Sequence, residues 1–364
     1  MAAQPHSWAT KAGIGWGALV FWLFMATLPL IGFVWDDPSF DYWMFMGQSM
    51  LIYAIAVLGL NLLTGFNGQI SLGHGAFFAL GAYIAAILMN DAGWPYWATL
   101  PAAAVVCFGA GFLFGFPALK LEGHYLALAT FSLAIAVPQL LKHKAITHWT
   151  GGVSGLVLEK PDPPFGVPLS PDQFLYYFCL GVAALLFWAA FNLLRGRTGL
   201  GLMAIRDHAM AAATMGIDTA LYKTIAFGIS ALFTGVAGAL SAITVAYVAP
   251  DSFTLQLSVY FLVGLVVGGL SSLPGCIIGG VFLVLVQNTA QSISNWAKGT
   301  FALAYDVPPW AIYGVVLLLL MYLLPTGVAG GITRLRVWVA RRLAPPVPRA
   351  SEPAVIQRQT TEAD

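Results

Sequence analysis

The sequence predicts an all-α polytopic membrane protein with about ten transmembrane helices and both termini cytoplasmic. Three observations predict it. The 364 residues are 59% hydrophobic and only 9% charged, whereas about a quarter of a soluble domain is charged. Apolar runs of spanning length recur from one end of the chain to the other. The basic residues fall almost entirely on one side once ten spans are threaded.

A spanning helix needs about 20 mostly apolar residues. The runs lie at 16–35, 43–63, 70–89, 97–118, 124–141, 174–194, 224–248, 256–272, 275–293 and 308–324. The first is too long for the apolar core of a signal peptide and no small-residue cleavage site follows. It is therefore expected to be retained, behind a cytoplasmic segment 1–15. Pro117 and Pro138 fall inside spans, where neighbouring helices and local waters can satisfy the freed backbone groups. With the N-terminus inside, cytoplasmic segments hold Lys11, Lys120, Arg195, Arg197, Arg206, Lys223, Arg334, Arg336, Arg341, Arg342, Arg349 and Arg358. The outer segments hold only Lys142, Lys144, Lys160 and Lys298. This bias favours an even number of spans and a basic cytoplasmic tail over 326–364, its end expected to be disordered.

No Asp, Glu, Lys or Arg lies within the ten cores. Each would cost roughly 2.5–3.5 kcal/mol at a helix centre. Ion-coupled carriers accept that cost because they need an intramembrane acid or counter-ion, so the driving force is expected to enter from outside the membrane domain. The six histidines show no spacing of a catalytic or metal constellation, and Cys107, Cys179 and Cys276 read as small hydrophobes within apolar runs. The net charge of +1 implies no polyanionic partner.

Four connecting stretches carry the remaining information. In TGFNGQISLGHGAFFALGAY, from Thr64 to Tyr83, glycines permit close backbone approach, and Asn61, Asn67, Gln69, Ser71 and His74 cluster around it. This describes either a tight turn with polar packing or a broken helix lining a translocation pathway. His74 has no carboxylate neighbour in sequence and suits a hydrogen-bonded structural role better than a proton relay. LKLEGHYLALATFSLA, from Leu119, opens a span at the inner boundary, with Lys120 and Glu122 as solvated charges. The outer loop 142–173 is rich in Pro and Gly without helical period; it covers helix ends, caps the outer mouth or receives a partner. The inner loop 195–222 is basic, and Gly201–Met215 is rich in Ala, Met and Leu before Gly216. That pattern predicts a short helix with an αL glycine stop, either lying on the inner leaflet or projecting for a partner to grip. A weaker signal is a loose counterpart of the Gly65–Tyr83 segment between Gly264 and Phe282, VVGGLSSLPGCIIGGVF, which suggests two pseudo-symmetric halves of five spans.

In order along the chain, GLNLLTGFNGQISLGHGAFFALGAY, GHYLALATFSLA, TGGVSGL, GRTGLGLMAIRDHAMAAATMGIDTALYKTIAFGISALFTGVAGAL and VGGLSSLPGCIIGG resemble the branched-chain amino-acid ABC transporter permease family, in its LivM type. The resemblance covers roughly 45–325, and urea ABC permeases share much of the pattern. It implies a multi-pass subunit of the bacterial inner membrane, with a permease domain over 16–325. The implied partners are a paralogous LivH-type permease, two cytoplasmic ATPase subunits and a periplasmic solute-binding protein, with no nucleic acid. It further implies that 195–222 is the ATPase-coupling loop, matched at Arg195, Gly196, Arg197, Gly199, Ala204, Arg206, Ala211, Ala212, Met215 and Gly216. Glu122 and the Asp207–His208–Ala209 stretch depart from the family pattern, which puts local loop chemistry and partner specificity in doubt. The chain has no G-x-x-x-x-G-K-[ST] phosphate loop. No cofactor is expected in it, ATP and Mg belonging to the partner subunits, and no enzymatic activity of its own.

Overall fold

The computed structural model describes residues 39–118, 123–163 and 170–301, with scattered positions outside these ranges; side chains are described to Ser294 in the last helix. Most of the expected spans 16–35 and 308–324 and of the segment 326–364, all of 1–15, and Lys120 and Glu122 lie outside the described residues. The protein is α-helical. Its order is α1 (Ser39–Leu60), a π-helical turn (Asn61–Phe66), α2 (His74–Asn90), α3 (Tyr96–Ala118), α4 (His124–Leu141), a one-turn α5 (Thr147–Thr150), strand β1 (Leu156–Val157), α6 (Pro171–Arg195), α7 (Arg197–Thr214), α8 (Thr219–Val245), strand β2 (Tyr247–Val248), α9 (Leu255–Gly268) and α10 (Leu273–Phe301).

Among the described residues, seven helices are long and apolar enough to cross a membrane, and α2 is a shorter apolar helix. All eight expected spans that fall on described residues are thus helices, and the chain is a multi-pass membrane protein. α1 and α8 are the most enclosed. α8 packs on α1, α2 and α3, while α1 also meets α6, α9 and α10.

The packing explains the glycines. Lipid gives helices no hydrophobic drive to associate, so close contact and dispersion must hold them together. Along α8, Gly228, Ala231, Gly235 and Gly238 lie at spacings of three and four and form one face. A Cβ on Gly81 of α2 would overlap the carbonyl of Gly235, and one on Gly238 would overlap the carbonyl of Phe78. A Cβ on Gly111 of α3 would strike Ala231. Gly268, Gly275 and Gly279 bring α9 and α10 into backbone contact in the same way.

The ends are tied off locally. Ser170 and Gln173 form a reciprocal capping box on α6, with Pro171 in the first turn. Asp218 accepts from Leu221 N at 3.0 Å to start α8. At the end the sequence assigns to the outside, the described part of the 142–173 loop, residues 142–163 and 170–173, folds as a strap. β1 pairs antiparallel with β2, Leu156 opposite Val248. Lys142 forms an ion pair with Asp251, Lys160 pairs with Asp172 at 2.9 Å, and Ser170 Oγ donates to Asp41 at 2.8 Å. Gly151, Gly152 and Gly155 all have positive φ, which explains the TGGVSG spelling. The two-residue ribbon is an addition to the expected all-α fold. Hydrophobic periodicity gave no sign of it, because strands this short are set by their partner rather than by pattern.

Candidate functional site

The junction between α1 and α2 is a broken helix. α1 runs into a π-helical turn, then the chain is irregular until Gly73. α2 starts only at His74, four residues later than the hydrophobic run predicts, and its 17 residues rise about 25 Å. That falls short of the roughly 30 Å of hydrocarbon. The irregular segment therefore enters the bundle to supply the missing depth. Non-helical backbone survives at such depth only where protein satisfies it. Here hydroxyls and amides do so: Leu72 N donates to Thr130 Oγ1 at 3.0 Å, Gly75 N to Ser258 Oγ at 2.9 Å, and Thr64 Oγ1 to the Gln69 carbonyl at 3.0 Å. Gly68 has φ +79°, with the stem of Arg206 against its Cα face.

The five junction residues singled out from the sequence are close in the chain but occupy distinct environments. His74 is 1% exposed. Its Nδ1 meets Ser71 Oγ at 3.0 Å and its Nε2 meets Ser230 Oγ at 2.5 Å. Ser230 donates its own proton to the Gly59 carbonyl at 2.6 Å, so the network assigns the imidazole proton to Nε2 and makes Ser71 the donor to Nδ1. Both ring nitrogens are thus engaged inside the protein, which makes His74 a strut between α1, α2 and α8. Ser71 is buried and serves His74. Asn67 is buried and donates to Gln69 Oε1 at 2.9 Å; its own Oδ1 has no acceptor bond among the described residues.

Asn61 faces elsewhere. Its Oδ1 accepts from Ser271 N at 3.0 Å, and its Nδ2 donates to the Ser272 carbonyl and to Cys276 Sγ, both at 3.1 Å. The glycine-rich turn after α1 and the one between α9 and α10 thus meet directly. Ser271 sits at φ +58°, an unusual conformation for a residue with a side chain.

Arg206 completes this node. From α7 its Nη1 donates to the Gly65 carbonyl at 3.0 Å and to Ser271 Oγ at 2.7 Å. Ser271 Oγ donates to the same carbonyl at 2.6 Å. Asp207 pairs with the guanidinium at 2.9 Å from the exposed side. Sequence reasoning grouped Arg206 with the loop residues offered to a partner; its geometry instead faces it into the bundle. No local signal distinguishes it from Arg195 or Arg197, since its partners lie 141 and 65 residues away.

α7 also differs from the expected helix over 201–215. It begins at Arg197 and is interrupted at His208, whose φ −155° and ψ 92° are extended. The first piece is anchored: Gly199, Gly201, Leu202 and Ile205 are buried, with Gly199 against the backbone of Leu194 and Gly201 against the Tyr222 ring. Ala204 is half-buried. Gly196 ends α6 and opens α7, Arg195 stacks over the Phe191 ring at 4.8 Å, and Arg197 is exposed. The second piece projects. Ala212 turns inward, while Ala211 is exposed and Met210 and Met215 are 82% and 85% exposed. Gly216 then takes φ +84°. Gly216 N donates to Ala213 O at 3.0 Å and Ile217 N to Ala212 O at 3.1 Å, the double bond pattern of a Schellman stop and the αL cap the sequence predicts.

No group of three or more metal-ligating side chains occurs among the described residues. The three cysteines are buried and unbridged.

The high-affinity branched-chain amino acid transport system permease protein LivM of Salmonella typhimurium is 33% identical over 299 residues, which cover 76% of this chain and 70% of the relative. LivM of Escherichia coli is 31% identical over the same extent. No solved structure matches the chain with significance. The family model described as branched-chain amino acid transport system, permease component, matches residues 42–325, which take in α1 to α10, the broken-helix junction and the loop 195–222. The chain belongs to that family of permease components.

Proposed function

We propose that this protein is the membrane-spanning subunit of an ATP-driven importer that carries branched-chain amino acids across the bacterial inner membrane. Its relatives are named as permease proteins of a high-affinity branched-chain amino acid transport system. The observation that carries the reading is the two-piece α7: one half anchored through Arg206, the other exposing Met210 and Met215 beyond the bundle. A flexible apolar knob on a short helix suits a groove on a second protein. ATP would be hydrolysed on two cytoplasmic partner subunits that grip this knob. The same motion would tilt α7, pull on the 65–68 and 269–272 turns through Arg206, and alternate access across the bundle.

In this reading the permease domain extends over 16–325 with ten spans, both termini are cytoplasmic, and 195–222 is the coupling loop. The direct meeting of the Asn61 and Ser271 turns supports two related halves. A LivH-type permease would complete the translocation path beside Asn61, Asn67, Gln69, Ser71 and His74, and a periplasmic binding protein would deliver solute over the outer strap. The test is uptake of L-leucine into vesicles holding the assembled transporter, energised either by ATP or by an ion gradient alone. ATP-dependent uptake is expected; uptake driven by the gradient without ATP would overturn the reading.

A further inference from the structure

A polar cleft opens between α1, α9 and α10, toward the end of the bundle opposite Arg206. Its volume is about 170 Å³. It descends from Ser252 and Thr254, in the segment before α9, to Tyr53 about two-thirds of the way along α1. It is lined by Tyr53, Thr254, Gln256, Tyr260 and Gln287 together with the apolar Leu257, Phe261 and Leu283. Gln256 and Tyr260 are one helical turn apart, and Gln256 Nε2 donates to Tyr260 Oη at 3.2 Å. Gln287 stands where the apolar run of α10 ends, VFLVLVQNTA.

Polar side chains at membrane depth are costly, and they gather where a solute path or water needs them. This gathering shares no residue with the junction at Asn61–His74. The cleft is lined by hydroxyl and amide groups and carries no formal charge. Hydroxyls and amides donate to a carboxylate and accept from an ammonium, so they suit a solute bearing both charges and no net one. The absence of a fixed charge favours weak holding over capture. The apolar lining residues offer a place for an aliphatic side chain. The volume lies below the roughly 300 Å³ at which drug-sized pockets begin, so the solute has few heavy atoms.

We propose that this cleft is an outer solute site, which holds a small zwitterion with an aliphatic side chain before it passes inward. The proposal rests on the permease reading and assigns that reading a substrate position. Two experiments on the assembled transporter test it. In the first, Tyr260→Phe and Gln287→Leu are compared with wild type for ATP-driven L-leucine uptake. Each removes one hydrogen-bonding group, so KM for L-leucine rises about tenfold. Unchanged KM in both variants overturns the proposal.

In the second, Gln287→Cys is labelled with a membrane-impermeant thiol reagent from the outer side. The native Cys107, Cys179 and Cys276 are buried and leave the background low. L-Leucine slows labelling several-fold and urea does not. Equal labelling with and without L-leucine overturns the site, and protection by urea alone overturns the zwitterion assignment. Labelling requires no turnover, so it judges the cleft even if the wild-type assembly shows no ATP-driven uptake, a result that would sink the permease reading itself.

Discussion

Replacing Arg206 by alanine tests whether α7 is fastened to the bundle by a side chain or merely rests on it. The guanidinium donates twice, to the Gly65 carbonyl and to Ser271 Oγ. A hydrogen bond from a charged donor contributes about 1.5–3 kcal/mol. Two such bonds do not add in full, because the Arg206 side chain is 25% exposed, so water can replace part of the loss. Ser271 Oγ also continues to serve the Gly65 carbonyl. The expected cost is about 2 kcal/mol. Ser271→Ala removes a neutral donor and should cost about 1 kcal/mol. The double variant should cost less than the sum, with a coupling of about 1 kcal/mol, because each single change already breaks the shared bond. The assay is thermal unfolding of the detergent-solubilised protein, followed with a maleimide dye that reports exposure of Cys107, Cys179 and Cys276, all buried in the fold. At about 2 °C per kcal/mol for a chain this large, Arg206→Ala should lower Tm by about 4 °C. Additive costs in the double variant would refute the node, because they would show that arginine and serine do not share a bond.

Met210→Ser with Met215→Ser removes the exposed knob of α7 and leaves its buried face intact. Tm should hold within a degree while co-purification with the ATPase partners is lost; retained co-purification counts against docking there. Gly216→Val places a β-branched residue at φ +84° in open space, a cost of about 1–2 kcal/mol confined to the Schellman stop. Partner association should fall with little change in global Tm, as measured by pull-down beside thermal unfolding. Gly81→Val drives a side chain into the α8 backbone at Gly235. Overpacking of this kind costs about 1–3 kcal/mol or more, and the readout is a loss of monodisperse protein on size-exclusion chromatography.

The helices were legible in the sequence because lipid imposes a long apolar run on each spanning segment, and α4 coincides with its predicted limits at 124 and 141. What the sequence hid depends on partners far along the chain. α2 starts at His74 rather than at residue 70 because Thr130 satisfies the irregular approach at Leu72, while Ser230 and Ser258 hold its first turn. Local composition carries no trace of those residues. Gly216 was legible because an αL stop is a local property of glycine, whereas the break at His208 was not, since nothing in Arg-Asp-His-Ala marks a kink. Residues 195–222 read as one element, yet Arg206 serves the bundle and Met210 serves the surface. The cleft left a faint mark: isolated polar residues at Tyr53 and Tyr260 in otherwise apolar runs, Gln256 one turn before Tyr260, and Gln287 where the apolar run of α10 ends.

The shortness of α2 also bears on how the chain is made. Its first turn is bonded by Ser230 and Ser258, which leave the ribosome more than 150 residues after His74. When α2 first reaches the insertion machinery, these partners do not yet exist. It must wait at the membrane edge, or in a provisional position, until α8 and α9 arrive. Synthesis halted before α8 should therefore yield a fragment whose second hydrophobic segment is badly seated and open to quality-control proteases. The completed chain would close around the same stretch and shield it.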